Sequence, residues 1–115
     1  MDDDLMEMER RFWLEGGDFF DENSAEDTVW VLPLGHGILD QAGARERIDA
    51  EGRWDEVEFG DVRRQDLGDV TILTYEATGR KAGGEAEAVY RAQCSTVYRG
   101  RTLVHHHQTA IHDRS

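Results

Sequence analysis

Only one cysteine, Cys94, and only one proline, Pro33, occur in the chain. A lone cysteine excludes an intrachain disulfide and any cysteine-built zinc site, and it fits a reducing compartment. Basic residues are also scarce: 13 Lys and Arg stand against 25 Asp and Glu, for a net charge of −12. A surface of that sign repels phosphate backbones and anionic lipid, so neither nucleic acid nor a membrane is expected as a partner. No apolar run approaches the roughly 18 residues that a membrane span requires. The start, Met1-Asp2-Asp3-Asp4, is acidic with no apolar run after it, the opposite of a signal peptide. A cytoplasmic protein is the expectation. Internal repeats, linkers and low-complexity stretches are missing. So is a Gly-x-Gly-x-x-Gly phosphate loop, and Gly83-Gly84 lacks the strand-to-helix context a dinucleotide loop needs.

What is present is enough for one core. The 115 residues suit a single domain, 1–115, and three Trp, three Tyr and four Phe supply large buried anchors that a disordered chain does not carry. Leu5, Met8 and Phe12, with Met6 and Trp13, fall on one face of a helix over residues 3–15, which places Glu7, Glu9, Arg10 and Arg11 mostly elsewhere. Gly16-Gly17 reads as a C-cap pair, followed by a short helical turn, Asp18 to Asn23, presenting Phe19 and Phe20. Thr28-Val29-Trp30-Val31-Leu32 is β-branched and aromatic, hence a strand ended by Pro33. Gly35-His36-Gly37 makes a turn, and Ile38-Leu39 pairs back. Asp40 is the N-cap of a helix to about Glu51, with Ala44 and Ile48 inward and Gly52 closing it.

From Trp54 the period becomes strand-like. Val57, Phe59 and Val62 mark one strand, turned at 66–69. Val70 to Thr78 is the next, turned by Gly79 and Gly83-Gly84. Ala88 to Tyr98 and Leu103 to Ile111 follow, with a turn at Arg99-Gly100-Arg101 between them. Long consecutive strands with short turns make an antiparallel meander. Helices first and a broad sheet last is an α+β plan, in which the twisted sheet curls over the helices and leaves a cone-shaped space. A small ligand would sit there.

With these elements laid out, the chain resembles the nuclear transport factor 2-like (NTF2-like) superfamily, and within it the ketosteroid-isomerase-like and DUF4440/SnoaL-like small bacterial proteins. The resemblance rests on Glu9-Arg10-Arg11-Phe12-Trp13, Gly17-Asp18-Phe19-Phe20, Val31-Leu32-Pro33 with Gly37-Ile38-Leu39-Asp40, Arg53-Trp54, Leu73-Thr74-Tyr75, Ser95-Thr96-Val97-Tyr98 and Leu103-Val104-His105-His106-His107-Gln108-Thr109. These cover nearly the whole chain in the family's order. The last segment is the most specific, although Thr102 stands where the family usually has Trp. The resemblance implies a conical NTF2-like/cystatin-like α+β barrel and a homodimer through the outer sheet face. It implies no single function, because the superfamily holds isomerases, dehydratases, cyclases and binding adaptors.

Steroid-isomerase chemistry, carried over by that resemblance, needs a carboxylate base at Leu32, a tyrosine donor near Arg10 and an aspartate near Cys94. None of the three keeps the required group, so that activity is not expected. Two histidines remain as catalytic candidates. His36, in the turn after Pro33, is either a general acid or base or a solvated turn residue. His106 lies on the last strand, where His105 and His107 share one face and His106 and Gln108 the other. Which pair faces inward stays open, because a bulge inverts parity. Two imidazoles at i, i+2 lack a third ligand, so no metal is assigned, and no cofactor is implied. The expected pocket lining is Trp13, Trp30, Leu32, Trp54, Leu73, Tyr75, Tyr90, Cys94, His106 and Gln108, with Cys94 read as a small apolar group rather than a nucleophile. Arg91 and Gln93, of opposite parity, fall on the outer face. The leading function is the binding of a small organic molecule. The alternatives are a cofactor-independent isomerase or dehydratase and a non-catalytic dimerisation or interaction module.

Overall fold

The computed structural model describes residues 3–33, 37–51, 53–81 and 88–111. The elements run α1 (Asp3–Leu14), α2 (Gly17–Asn23), β1 (Ser24–Leu32), β2 (Gly37–Leu39), α3 (Gln41–Glu51), β3 (Glu56–Leu67), β4 (Val70–Lys81), β5 (Ala88–Arg99) and β6 (Thr102–Ala110). One six-stranded sheet has the order β2-β1-β6-β5-β4-β3. The meander β3 to β6 is antiparallel throughout, whereas β1 joins β6 in parallel and carries β2 on its outer edge. No helix among the described residues is long and apolar enough to cross a membrane.

Both tight hairpins follow one recipe. Leu67 leads to Val70 through Gly68-Asp69, and Arg99 to Thr102 through Gly100-Arg101. In each case the first loop residue has positive φ, 80° at Gly68 and 62° at Gly100, which glycine reaches without steric cost.

The inner face of the sheet reads Trp30 on β1, Val57 on β3, Leu73, Tyr75 and Ala77 on β4, Ala92, Cys94 and Tyr98 on β5, and Leu103 on β6, all buried. Leu5, Met8, Phe12 and Trp13 of α1, Phe19 and Phe20 of α2, and Ala44 and Ile48 of α3 close over it. Phe12 is the aromatic hub of that layer, with Phe19 edge-on at 4.8 Å between ring centroids and Phe20, Trp30 and Tyr98 around it. Such edge-to-face pairs add to the burial of the rings themselves. As the sequence suggests, Asp40 caps α3: its Oδ1 accepts the Gly43 N–H at 2.8 Å.

Three local readings are corrected. Gly16 and Gly17 do not form a left-handed C-cap; Gly16 (φ −86°) is the N-cap of α2, and Gly17 opens that helix tucked beneath the Arg45 side chain. β1 begins at Ser24, four residues before the β-branched run, because pairing with β6 extends it. Gly79 is no turn but an interior residue of β4, where a Cβ would stand 2.9 Å from the Trp54 ring. It is glycine because an aromatic ring lies on its backbone. Val62 lies in β3 as expected and is 44% exposed, beside a bulge of one extra residue between Gly60 and Arg63 where Asp61 has φ 47°. His36, Gly52, Gly83-Gly84 and His112 lie outside the described residues.

Candidate functional site

Between α1, α3 and the concave face lies a cavity of about 270 Å³. Its apolar walls are Phe12, Trp13, Trp30, Leu32, Pro33, Ala44, Ile48 and Trp54; its polar groups are Glu9, Arg47, Arg53, Lys81, Tyr90, His106 and Gln108. Of the residues the sequence singles out for a lining, Trp13, Trp30, Leu32, Trp54, Tyr90, His106 and Gln108 meet around this space. Leu73, Tyr75 and Cys94 are buried in the adjoining core and do not line it.

The side wall is an aromatic stack. Trp54 lies over Tyr90 at 5.6 Å and 14° between planes, Trp13 closes on both rings, and the Lys81 ammonium sits 5.1 Å from the Trp54 ring centroid. Cross-strand register brings Trp30 opposite His106, with ring centroids 4.5 Å apart. Arg53 is tethered by a hydrogen bond from its guanidinium to the Phe12 carbonyl.

Behind that wall is a buried polar chain with Glu9 at its head. Glu9 is only 1% exposed. Tyr75 and Thr96 (2.6 Å) donate their hydroxyls to its Oε2, and Tyr98 (2.6 Å) donates to its Oε1. Three donors on two oxygens make Glu9 an acceptor at both of them. Hydrogen bonds of this charge-assisted kind offset the cost of keeping a carboxylate out of water. Trp13 in turn donates its indole N–H to the Tyr75 oxygen at 3.2 Å. The chain continues from the Thr96 oxygen to His106 Nδ1 (2.7 Å), from His106 Nε2 to the Gln108 amide (2.8 Å), and from that amide to the Tyr90 hydroxyl (3.0 Å).

Both ring nitrogens of His106 face acceptors. Thr96 spends its single proton on Glu9 and so accepts at Nδ1, while Gln108 offers its Oε1 to Nε2, and a neutral ring with one N–H serves only one of the two. Burial pushes the His106 pKa below its usual range, with Glu9 and Gln108 pulling part of the way back. The lone pair of the neutral ring falls on the nitrogen that does not donate, Nδ1 facing Thr96 or Nε2 facing Gln108. Burial, reinforced by the Glu9 charge, pushes the Tyr75 and Tyr98 phenols well above their usual range, so both stay protonated donors. The Cys94 thiol is likewise pushed up by burial first and by Glu9 second.

On the last strand the two parities divide cleanly. His106 is 2% exposed and Gln108 is half-buried, both inward; His107 is exposed on the other face. Leu103 also points inward, because the register shifts between the Val97–His105 and Tyr98–Leu103 pairs and inverts the alternation. No group of three or more His, Cys, Asp or Glu among the described residues is arranged to hold a metal. Arg91 and Gln93 lie on the outer face, where Gln93, Ser95, His107 and Thr109 border a shallow polar depression.

Glu9 is the residue that residue-type reasoning misses. Its spacing gives it away: Leu5, Glu9 and Phe12 stand at i, i+4 and i+7 on one helical stripe. The cationic liners Arg47, Arg53 and Lys81 carry no comparable signal in the sequence.

No family model matches the chain, and no curated protein does. Solved structures do match. An NTF2-like protein of unknown function from Prochlorococcus superposes with a TM-score of 0.79 at 13% identity, covering 98% of this chain and 94% of that one. A Nostoc punctiforme protein of unknown function with a cystatin-like fold gives 0.76 at 17% identity, over 93% and 88%. The CaMKII hub of S. rosetta gives 0.66 at 17%, over 82% and 81%. What these structures share with it is the overall fold, and the chain has the α+β fold of the NTF2-like proteins.

Proposed function

We propose that the chain binds a small organic molecule in the cone, without turning it over. One observation carries this reading: three tryptophans, any of which could have filled the space, instead stand around a cavity of about 270 Å³ with His106 and Gln108 presented to it. That volume is near the low end of the roughly 300–1,000 Å³ typical of ligand sites, so the occupant is well below drug size. The test is a fragment screen by native mass spectrometry on the full chain, repeated on Leu32→Trp, which fills the cavity from its wall. Binding that disappears in the variant supports the pocket. Fragments held equally by both proteins would sink it.

A second reading, a cofactor-independent isomerase or dehydratase of the SnoaL-like, DUF4440-like kind, is favoured by one feature. A buried imidazole at a cavity wall, hydrogen-bonded through Thr96 to a carboxylate, is arranged as a general base. His106→Gln assayed against any molecule the screen identifies decides it, and unchanged turnover removes the base. A homodimer through the outer sheet face, in a cytoplasmic setting, completes the proposal; the likeness to a hub domain supports it. Sedimentation giving a monomer mass at micromolar concentration would contradict that part.

A further inference from the structure

The sign of the cavity is opposite to the sign of the protein. Acidic residues outnumber basic ones 25 to 13 along the chain, yet the described lining holds three cations, Arg47, Arg53 and Lys81, and one carboxylate. That carboxylate, Glu9, is wrapped by the hydroxyls of Tyr75, Thr96 and Tyr98, so its lone pairs are already engaged behind the wall. The Nε atoms of Arg47 and Arg53 are both buried and the two residues half-buried, which weakens the screening of their guanidinium groups by water. Arginine is the side chain suited to such a place, because its planar fork matches a carboxylate and is weakly hydrated.

A third donor points the same way. Trp30 is 7% exposed, lines the cavity, and its indole N–H has no hydrogen-bond partner among the described residues. An indole nitrogen donates and cannot accept, so whatever satisfies it must bring an acceptor oxygen or nitrogen. A buried donor left without an acceptor costs free energy, and a ligand that supplies one regains it. Around these donors the remaining wall is aromatic: Phe12, Trp13 and the Trp54–Tyr90 stack.

Resting on the pocket reading above, we infer that the ligand is a small organic carboxylate with a flat apolar body. The acid group engages Arg47, Arg53 and Lys81. The body lies against the Trp54–Tyr90 stack, and a ligand acceptor takes the Trp30 N–H.

Calorimetric titration of the unmodified full chain with benzoate, phenylacetate and 3-phenylpropionate, each against its neutral primary amide, tests the inference. The amides keep shape and size, remove the charge and replace one acceptor oxygen with an NH2 donor. The acids are expected to bind tighter than their amides by roughly tenfold or more, and to weaken as salt rises while the amides do not. Arg47→Gln and Arg53→Gln are expected to remove most of the acid's advantage over its amide, with an unchanged circular dichroism spectrum reporting an intact fold. Amides that bind as tightly as the acids would overturn the charge inference and leave the pocket standing. No binding in either series would overturn it as well, and the pocket would then stand or fall on the fragment screen with Leu32→Trp.

Discussion

His106 Nδ1 lies 3.6 Å from Glu9 Oε2, and the Thr96 hydroxyl is held between them, 2.7 Å from one and 2.6 Å from the other. A buried carboxylate of α1 and an imidazole of β6 therefore share one mediating hydroxyl. Helix and sheet are tied by polar chemistry at the centre of an otherwise apolar core.

Removing the acceptor at the head of that chain should cost stability out of proportion to the change in volume. Glu9→Gln is expected to lower the unfolding free energy by about 1.5–3 kcal/mol, since hydrogen bonds to a charged group become bonds to a neutral one. Tyr98→Phe, which deletes one donor at a fully buried site, should cost about 1 kcal/mol. Urea unfolding of each variant measures both. A Glu9→Gln protein as stable as the parent would show that the network is ornamental.

The pH dependence follows from His106. Its folded pKa is lowered by burial, so as pH falls the unfolded chain takes up the proton first. The stabilisation is complete above the unfolded value of about 6.5 and is lost as pH drops from there towards the folded value, with a slope of up to about 1.4 kcal/mol per pH unit. His106→Gln cannot protonate, and its stability curve should be flatter over the same interval. Parallel curves for parent and variant between neutrality and mild acid would contradict the assignment.

Gly79→Ala tests the contact with Trp54. The added methyl would sit 2.9 Å from the indole, so ring or strand must move, at a cost of about 1–3 kcal/mol. For a domain of this size each kcal/mol is worth roughly 4–8 °C in Tm. Because Trp54 stacks on Tyr90 in the cavity wall, ligand affinity should fall along with stability. A variant with unchanged Tm and affinity would mean that the ring is not held there.

Cys94 should behave as a core residue towards thiol reagents. It is 2% exposed and its thiol is held protonated by burial. Ellman's reagent is expected to leave the native protein unmodified and to titrate one thiol in denaturant. Rapid reaction in the folded state would expose an opening motion through β4 and β5.

Element type and order were readable from periodicity, because amphipathic spacing in α1 and alternation in β4 and β5 follow directly from which face is buried. Two features were hidden for physical reasons. Glu9 is assigned to solvent by its charge, and only the hydroxyls contributed by Tyr75, Thr96 and Tyr98, distant in sequence, make its burial affordable. The inward turn of His106 depends on a bulge between Leu103 and His105, and an alternating pattern cannot report its own interruption. Gly79 misled for a related reason: a glycine that makes room for a ring and a glycine that makes a turn look alike until Trp54 is placed. The cationic side of the cavity drew on α3, the segment before β3 and the end of β4, three places that no local motif connects.

The strand order also has a consequence in time. β1 has β2 and β6 as its only sheet neighbours, and β6 is the last strand of the chain. A ribosome releasing this protein therefore delivers α1, α2 and β1 long before the strand that joins them to the main sheet. Until Thr102–Ala110 emerges, Trp30 has no His106 to face, although Tyr75, Thr96 and Tyr98, the hydroxyl donors of Glu9, have already been made. Closing a loop of that length comes late and slowly. Pulse-labelled hydrogen exchange during refolding should find β1 and β6 amides gaining protection together, after the β3–β4 hairpin; early protection of β1 alone would refute it. The cavity is then acquired only once β6 joins β1, so a product truncated before Thr102 is ligand-blind.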